Sequence, residues 1–311
     1  MTLNIITPTY NRAEEIQKLY HSLILQSDSD FLWTIVDDGS TDNTKEVLQR
    51  IQDEGRIKVN IFYKPNGGKH TALNLAISHT DQDLIFIVDS DDILTENAVS
   101  IIRYYADKYN PFRKQDNLCG FSFLRANSLG AINDSEYSEN EKIGTYCNER
   151  INAGIAGDKA EVFYADILKN YPFKVFPNEK YMPEDALWMQ ISGPYQMVHI
   201  NQAIYICDYL EGGLTKSGRA MKIHSPFGMM YRSSIYLNDS NVNMKTKIKM
   251  QLLFHIYNGY AKDEIRSGTI SENKYLNYRN QCAVSKGFLY DITIIPAQLL
   301  YWKWKHDYST R

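Results

Sequence analysis

The residues with the most evident chemistry are three carboxylates within four positions, Asp89-Ser90-Asp91-Asp92, at the end of the apolar run 84–88. Clustered carboxylates repel one another, and a hard divalent cation with oxygen ligands is the most economical compensation. A solvated turn leading into a helix would also accommodate them, so the rest of the chain must decide. Two more polar turns follow short apolar runs: Pro8-Thr9-Tyr10-Asn11 after 3–7, and Asp37-Asp38-Gly39-Ser40 after 31–36. A fourth turn, Asn66-Gly67-Gly68-Lys69, follows 57–63. Its glycines let backbone amides approach a ligand closely, and a lysine supplies a point charge suited to phosphate.

These turns need elements that bring them together. The continuous apolar run 84–88 reads as a strand buried on both faces, as in a parallel sheet. Between the runs lie helical patterns: Ile16, Leu19 and Leu23; Val47, Leu48 and Ile51; residues 70–78; and Val99, Ile102 and Tyr105. Ser40, Thr41 or Asp42 is expected to cap the second helix and Thr95 the fourth. Strands alternating with helices predict βαβ units and a parallel, doubly wound sheet. Parallel strands place their C-terminal ends on one side, so all four turns would line one crevice. GxGxxG after the first strand and GxxxxGK[ST] anywhere are both absent, so neither the usual dinucleotide fingerprint nor the P-loop is present.

Beyond residue 118 the rhythm changes. Residues 119–124 predict a strand, 127–149 a polar loop or a pair of short strands, and 158–168 a helix. Pro183-Glu184-Asp185-Ala186 reads as a helix start with Pro near its first position. Residues 197–209 alternate as one or two strands, and mainly helical segments then run to the aromatic tail 288–304.

The length of 311 residues suits one large domain or a main domain with an appendage. Hydrophobic content of 43% and charged content of 23% are those of a soluble globular chain. Cys119, Cys147, Cys207 and Cys282 form no CxxC pair, which argues against a zinc site or disulfide scaffold and fits a reducing compartment. No basic stretch followed by an apolar one opens the chain, so a secretory signal is not expected. Charge is uneven: residues 1–215 carry 19 Lys+Arg against 31 Asp+Glu, and residues 216–311 carry 15 against 6. The acidic first part argues against nucleic acid as a partner, and the split predicts two regions with different partners.

In order and spacing, Ile6-Thr7-Pro8-Thr9-Tyr10-Asn11-Arg12, Val36-Asp37-Asp38-Gly39-Ser40-Thr41-Asp42, Asn66-Gly67-Gly68-Lys69…Asn74 and Asp89-Ser90-Asp91-Asp92 resemble the successive motifs of family 2 glycosyltransferases with the GT-A fold. The resemblance is strongest over 1–110 and extends to about 215. It implies an α/β, Rossmann-like, mostly parallel sheet flanked by helices over 1–215; the residue pattern and charge predict a mainly α-helical, basic region over 216–311. It also implies a nucleotide-sugar donor such as a UDP-sugar, a divalent Mn²⁺ or Mg²⁺, and inverting transfer to a glycan or lipid-linked oligosaccharide in cell-surface polysaccharide synthesis. Carried over by position, Pro8, Thr9 and Tyr10 would flank base and ribose, and Asp38 would accept from the base. Gly68 and Lys69 would lie along the nucleotide, Asp89 would face the ribose and Asp91 would hold the metal. Asp92 is a neighbour without an assigned role.

Glu184-Asp185 matches the family's Glu-Asp pair, which implies Asp185 as general base; without the family it is an acidic residue in a first helical turn. Trp188, three positions on, shares that helix face and is either an acceptor-stacking plate or a core residue. His70, His199, His224 and His255 are candidates for a further metal ligand, although a lone histidine is more often structural. The segment 209–215 resembles a loop that closes over a donor, or is an ordinary exit loop. The tail 288–304, with Lys286, Lys303, Lys305 and Arg311 around it, is too broken for a transmembrane span. It suits either the headgroup layer of an anionic leaflet or packing on the domain; the protein is expected in the cytoplasm, and in the first case at the inner face of the membrane.

Two other classes share part of this pattern. A receiver-type signalling domain also binds Mg²⁺ with an acidic pair, but there the pair follows the first strand rather than the second. A nucleotidyltransferase that forms nucleotide-sugars would need a glycine-rich basic loop after its first strand, and Pro8-Thr9-Tyr10-Asn11-Arg12 is not one.

Overall fold

The computed structural model describes residues 1–133, 135–208 and 214–309. The chain forms two units, Met1–Pro172 with Pro194–Leu210, and Phe173–Gly193 with Glu211–Arg311. The segment 173–193 thus groups with the C-terminal unit, whereas the sequence placed one boundary at 215.

In the first unit the elements run β1 (Leu3–Thr9), α1 (Glu15–Ile24), β2 (Phe31–Asp37), α2 (Thr44–Glu54), β3 (Lys58–Tyr63), α3 (Lys69–Ser78) and β4 (Leu84–Ile87). They continue with β5 (Ile93–Leu94), α4 (Ala98–Tyr109), β6 (Leu118–Ala126), β7 (Lys142–Gly144), β8 (Ala160–Tyr164) and α5 (Ala165–Leu168). The second unit contributes α6 (Asp185–Ile191), after which β9 (Gln196–Ile206) returns to the sheet. Nine strands take part, in the order β3-β2-β1-β4-β8-β6-β9-β5 with β7 on β9.

The first four strands pair in parallel, with Ile5 opposite both Trp33 and Phe86. Every residue of β1 and β4 is buried, which explains the uninterrupted apolar run of β4; β1 buries Asn4, Thr7 and Thr9 as well. Beyond β4 the sheet becomes mixed. β8 runs antiparallel to both β4 and β6, and β6 runs parallel to β9. That antiparallel strand beside β4 is incompatible with the all-parallel receiver sheet.

The helix expected over 158–168 is instead β8 and a single turn, α5. Ala160 to Tyr164 are buried throughout between β4 and β6, and a short apolar run of this kind carries no period that separates strand from helix. β6 and β8 approach closely at Gly120, where a Cβ would lie 1.9 Å from the Val162 carbonyl oxygen. Two caps also differ. Asn97, not Thr95, precedes α4, and Thr95 donates its N–H to the Ile204 carbonyl at 3.1 Å. Asn43 precedes α2, while the Asp42 carboxylate accepts from Thr44 N at 3.0 Å and Thr44 Oγ1 at 2.6 Å.

The second unit is helical: α6, α7 (Leu214–Ile223), α8 (Pro226–Asn238), α9 (Met244–Arg266), α10 (Glu272–Gln281) and α11 (Phe288–Ser309). Here α9 packs against both α8 and α11, and α6 lies on α8. The buried Glu179 carboxylate accepts from the N–H groups of Phe227 and Gly228, each at 2.7 Å, and so satisfies two orphan donors in the first turn of α8. Among the described residues no helix is long and apolar enough to cross a membrane.

Candidate functional site

The parallel strands deliver the four turns to one edge, and hydrogen bonds tie them into a single assembly. At the end of β1, Thr9 is buried, and its carbonyl accepts from Asp38 N at 2.9 Å. Asn11 then takes a left-handed conformation, φ 52°. In that shape its N–H reaches Ser40 Oγ at 2.9 Å, and its side-chain oxygen accepts from Thr41 N at 2.7 Å. Pro8 is buried and Tyr10 is exposed beside them. Thr9 Oγ1 is buried with no hydrogen-bond partner among the described residues, an arrangement that a bound polar ligand would relieve.

Asp38 is the joint between the second and third turns. One carboxylate oxygen accepts from Gly67 N at 3.0 Å and from Lys64 Nζ, and the other from Gly68 N at 2.7 Å. The second oxygen therefore keeps acceptor capacity for one further donor. Gly39 makes the joint possible. Its φ is +81°, and a Cβ there would lie 2.8 Å from Asn66 N. Lys69 is the first residue of α3, and its ammonium pairs with Asp89 across the edge.

The fourth turn separates its carboxylates into different environments. Asp89 meets Lys69 and lies near Arg125; burial opposes its charge, but these two cations outweigh it and hold the carboxyl below its usual range. Asp91 is half-exposed, with Arg12 Nη2 at 3.6 Å as its ion-pair partner. Asp92 is buried. Burial first, then the charge of Asp89, pushes its carboxyl up to about 6, against the pull of Tyr205 and Arg125. A relay joins the turn to β9: Asp89 N donates to Tyr205 Oη at 2.9 Å, and Tyr205 Oη donates to Asp92 Oδ2 at 2.8 Å. Arg125, from β6, stacks on the Tyr205 ring at 4.1 Å and donates its Nε–H to the Lys159 carbonyl at 3.0 Å.

Among the described residues no group of three or more His, Cys, Asp or Glu is placed to hold a metal ion by itself. The Asp91 carboxylate nevertheless fits a hard cation: it is an exposed oxygen donor whose ion pair with Arg12 is long. A cation there would draw its remaining ligands from solvent and from phosphate oxygens. The candidate histidines give no such ligand set. His199 is buried with Nε2 3.3 Å from the Gly144 carbonyl, and burial lowers it to about 4. His255 Nε2 lies 3.0 Å from the Tyr290 carbonyl. His70 is buried at the start of α3 and likewise lowered to about 4 by burial. His224 is exposed in the second unit.

The Glu-Asp pair belongs to that second unit. Glu184 precedes α6, and its carbonyl accepts from Leu187 N at 2.8 Å. Asp185 opens the helix and is gripped from α8. Arg232 Nε lies 2.7 Å from Oδ1 and 2.9 Å from Oδ2, Nη2 also bonds Oδ2, and Tyr236 Oη donates to Oδ2 at 2.8 Å. Burial resists ionisation here, but Arg232 outweighs it and keeps the carboxyl below its usual value. Oδ2 is saturated while Oδ1 retains a lone pair. Trp188 does not offer a stacking plate: it is buried, with its ring packed edge-on to Phe173 at 6.1 Å. The segment considered as a closing loop, 209–215, has residues 209–213 outside the described residues.

Reasoning from sequence missed Arg12, Lys64, Arg125, Tyr205, Arg232 and Tyr236 as partners. Two signals were available. Arg125 is the one charge in the otherwise apolar or small run of β6, and a buried charge requires a counter-charge. Arg232 and Tyr236 are spaced i, i+4 and so share one face of α8.

Residues 4–113 match the family described as Glycosyl transferase family 2. An uncharacterized glycosyltransferase of Mycoplasma genitalium is 35% identical over 113 residues, covering 35% of this chain and 38% of that protein. The GalNAc(5)-diNAcBac-PP-undecaprenol beta-1,3-glucosyltransferase of Campylobacter jejuni is 30% identical over 201 residues, covering 61% of this chain and 59% of that protein. The matches thus span less than two thirds of these relatives' own length. Among solved structures, residues 1–349 of Staphylococcus aureus TarS in complex with UDP-GlcNAc superpose with a TM-score of 0.59 at 17% identity, over 91% of this chain and 80% of that one. A mannosyltransferase of Pyrobaculum calidifontis in complex with GDP-Man and Mn²⁺ gives 0.57 at 14% identity, over 99% and 88%. At such identities the likeness is one of fold, and the fold is GT-A.

Proposed function

We propose, from a chain whose residues 4–113 match family 2 glycosyltransferases on a GT-A fold, that this protein transfers a sugar from a nucleotide-diphosphate sugar to a hydroxyl of a glycan or lipid-linked acceptor. The donor is a UDP-sugar, the transfer inverts the anomeric carbon, and the product is a cell-surface polysaccharide such as a capsule. The protein works at the inner face of the cell membrane. The observation that carries the reading is the charged edge itself. Two ion pairs, Lys69 with Asp89 and Arg12 with Asp91, stand beside a carboxylate-locked glycine loop at the C-terminal ends of parallel strands. Both cations are partly exposed and so are available to phosphate oxygens. The nucleotide-bound state of TarS and the undecaprenol-linked substrate in the Campylobacter relative's name support the donor and acceptor classes.

Each residue has a role in this account. Pro8, Thr9 and Tyr10 flank base and ribose, and the buried Thr9 hydroxyl has no hydrogen-bond partner among the described residues. Asp38 offers its remaining acceptor site to a base N–H, and Asp89 meets the ribose. Gly68 and Lys69 lie along the nucleotide. Asp91 would hold a divalent Mn²⁺ or Mg²⁺, which when bound neutralises charge developing on the leaving diphosphate as a Lewis acid. Asp185 takes the acceptor's proton on Oδ1 as the acceptor oxygen bonds the anomeric carbon and the bond to diphosphate breaks. Glu184 supports that helix start, and Asp92 holds the turn through Tyr205.

The test is turnover of a panel of UDP- and GDP-sugars with Mn²⁺ or Mg²⁺, with product anomers read by NMR. Metal-dependent release of nucleoside diphosphate with inversion is expected, and Asp185→Asn should abolish transfer while leaving donor binding intact. Retention of configuration, or no turnover of any nucleotide-sugar by wild-type protein, would refute the reading.

A further inference from the structure

α11 carries two apolar faces, and only one of them is packed. Thr293, Ala297 and Tyr301 are buried, with Ala297 and Tyr301 clustered on Ile256 of α9. On the opposite side Phe288, Ile292, Ile295, Leu299 and Trp302 are between 50% and 81% exposed. Their spacing alternates four and three residues, which places them in one line along about 21 Å of helix. A helix that only packs on a domain needs a single apolar stripe, with its other face polar. Here that other face is apolar too.

We propose that this bare face of α11 rests on an anionic lipid bilayer, with the helix lying in the headgroup plane. Two features select this occupant. Asp291 is the single charged side chain between Phe288 and Trp302; it sits exposed beside the first turn of the stripe, and the later flanking positions are Pro296, Gln298 and Lys303. A second copy pairing by a heptad seam would be expected to flank it with complementary charges. Basic groups cluster instead at the ends, Lys286 before the stripe and Lys303 after it, both exposed. Residues 216–311 carry 15 basic against 6 acidic side chains, a charge complementary to an anionic leaflet. Trp302 beside Lys303 suits the boundary between acyl chains and headgroups. No described helix can cross a membrane, so the segment lies on the surface rather than through it.

The inference deepens the membrane part of the proposed function, and its test reads lipid binding apart from turnover. Full-length protein is floated with phosphatidylcholine vesicles, with and without about a quarter phosphatidylglycerol. Wild type is expected to float with the anionic vesicles, and Ile295→Asp with Leu299→Asp to lower that partition roughly tenfold or more. Both positions are solvent-exposed, so circular dichroism of the variant should match wild type. Trp302→Ser provides a second, milder variant with the same direction of change. Equal flotation of wild type and variant, or none by wild type, overturns the proposal. So does a wild-type dimer in sedimentation velocity that the double substitution dissociates without any lipid binding. Transfer to a water-soluble acceptor measures the enzyme separately, so flotation and turnover can each fail alone.

Discussion

Replacing Tyr236 by Phe removes one hydroxyl and tests how Asp185 is held. In the native protein that hydroxyl donates to Oδ2 at 2.8 Å, alongside the two-pronged grip of Arg232. A hydrogen bond to a charged group contributes about 1.5–3 kcal/mol. Losing it removes a bond that favours the charged form, so the Asp185 carboxyl titrates at higher pH in the variant. The sign follows from linkage. In the native fold Arg232 outweighs burial and depresses this carboxyl, so its contribution to stability is present above the unfolded pKa and is lost as pH falls through the folded value. In the variant that loss begins at higher pH. The assay is the acid limb of kcat/KM, followed from about pH 8 down to the lowest pH at which the protein stays folded, with urea unfolding over the same range. Tyr236→Phe should move the limb to higher pH, and Asp185→Asn should remove transfer. An unmoved limb alongside an inactive Asp185→Asn would show that Tyr236 does not act through the carboxylate. Transfer surviving in Asp185→Asn would remove the base itself.

Three further outcomes follow from the geometry. Gly39→Ala forces a side chain onto Asn66 N at 2.8 Å and a positive φ, so chemical denaturation should report a loss of roughly 1–3 kcal/mol, with weakened nucleotide binding. Glu179 is raised to about 8, mainly by burial, so its folded state binds more protons than its unfolded state; wild type should therefore lose stability relative to Glu179→Gln as pH rises from about 5 to 9. His199 is lowered to about 4 by burial, which gives stability that is present above the unfolded value and is lost as pH falls. His199→Gln should accordingly flatten the dependence of unfolding free energy on pH between about 6.5 and 4.

The sharing of one edge by the four turns was legible because parallel topology leaves little choice. Once 3–7, 31–36, 57–63 and 84–88 read as parallel strands, their following turns had to share a side, and the turns themselves carried the recognisable residues. What joins the turns was not legible. Nothing local marks Lys64 as the partner of Asp38, or Tyr205, 116 positions from Asp89, as the relay to Asp92. The Asp38–Lys64 pair sits where β2 and β3 end side by side, whereas the Tyr205 relay depends on β6, β8 and β9, whose arrangement is non-local; β8 was misread because burial on both faces erases periodicity. Trp188 takes the core alternative of its two readings: helical spacing put it on a face with Asp185 but said nothing of Phe173, which packs edge-on to its ring. The tail was half legible. Its aromatic and basic composition was plain, yet only the packed partner, α9, separates the bare face from the buried one.

The central claim is that the edge formed by Asp38, Lys69, Asp89 and Asp91 binds a nucleotide-diphosphate sugar with a divalent metal. The most direct measurement is calorimetric titration of UDP-sugars into wild type and Asp91→Ala, each with and without Mn²⁺. Asp91 is half-exposed and its ion pair is long, so the variant should keep its fold and thermal stability. Binding that requires Mn²⁺ in wild type and is lost in a folded Asp91→Ala is the predicted result. Equal donor affinity in the two proteins, or affinity indifferent to metal, would contradict the account.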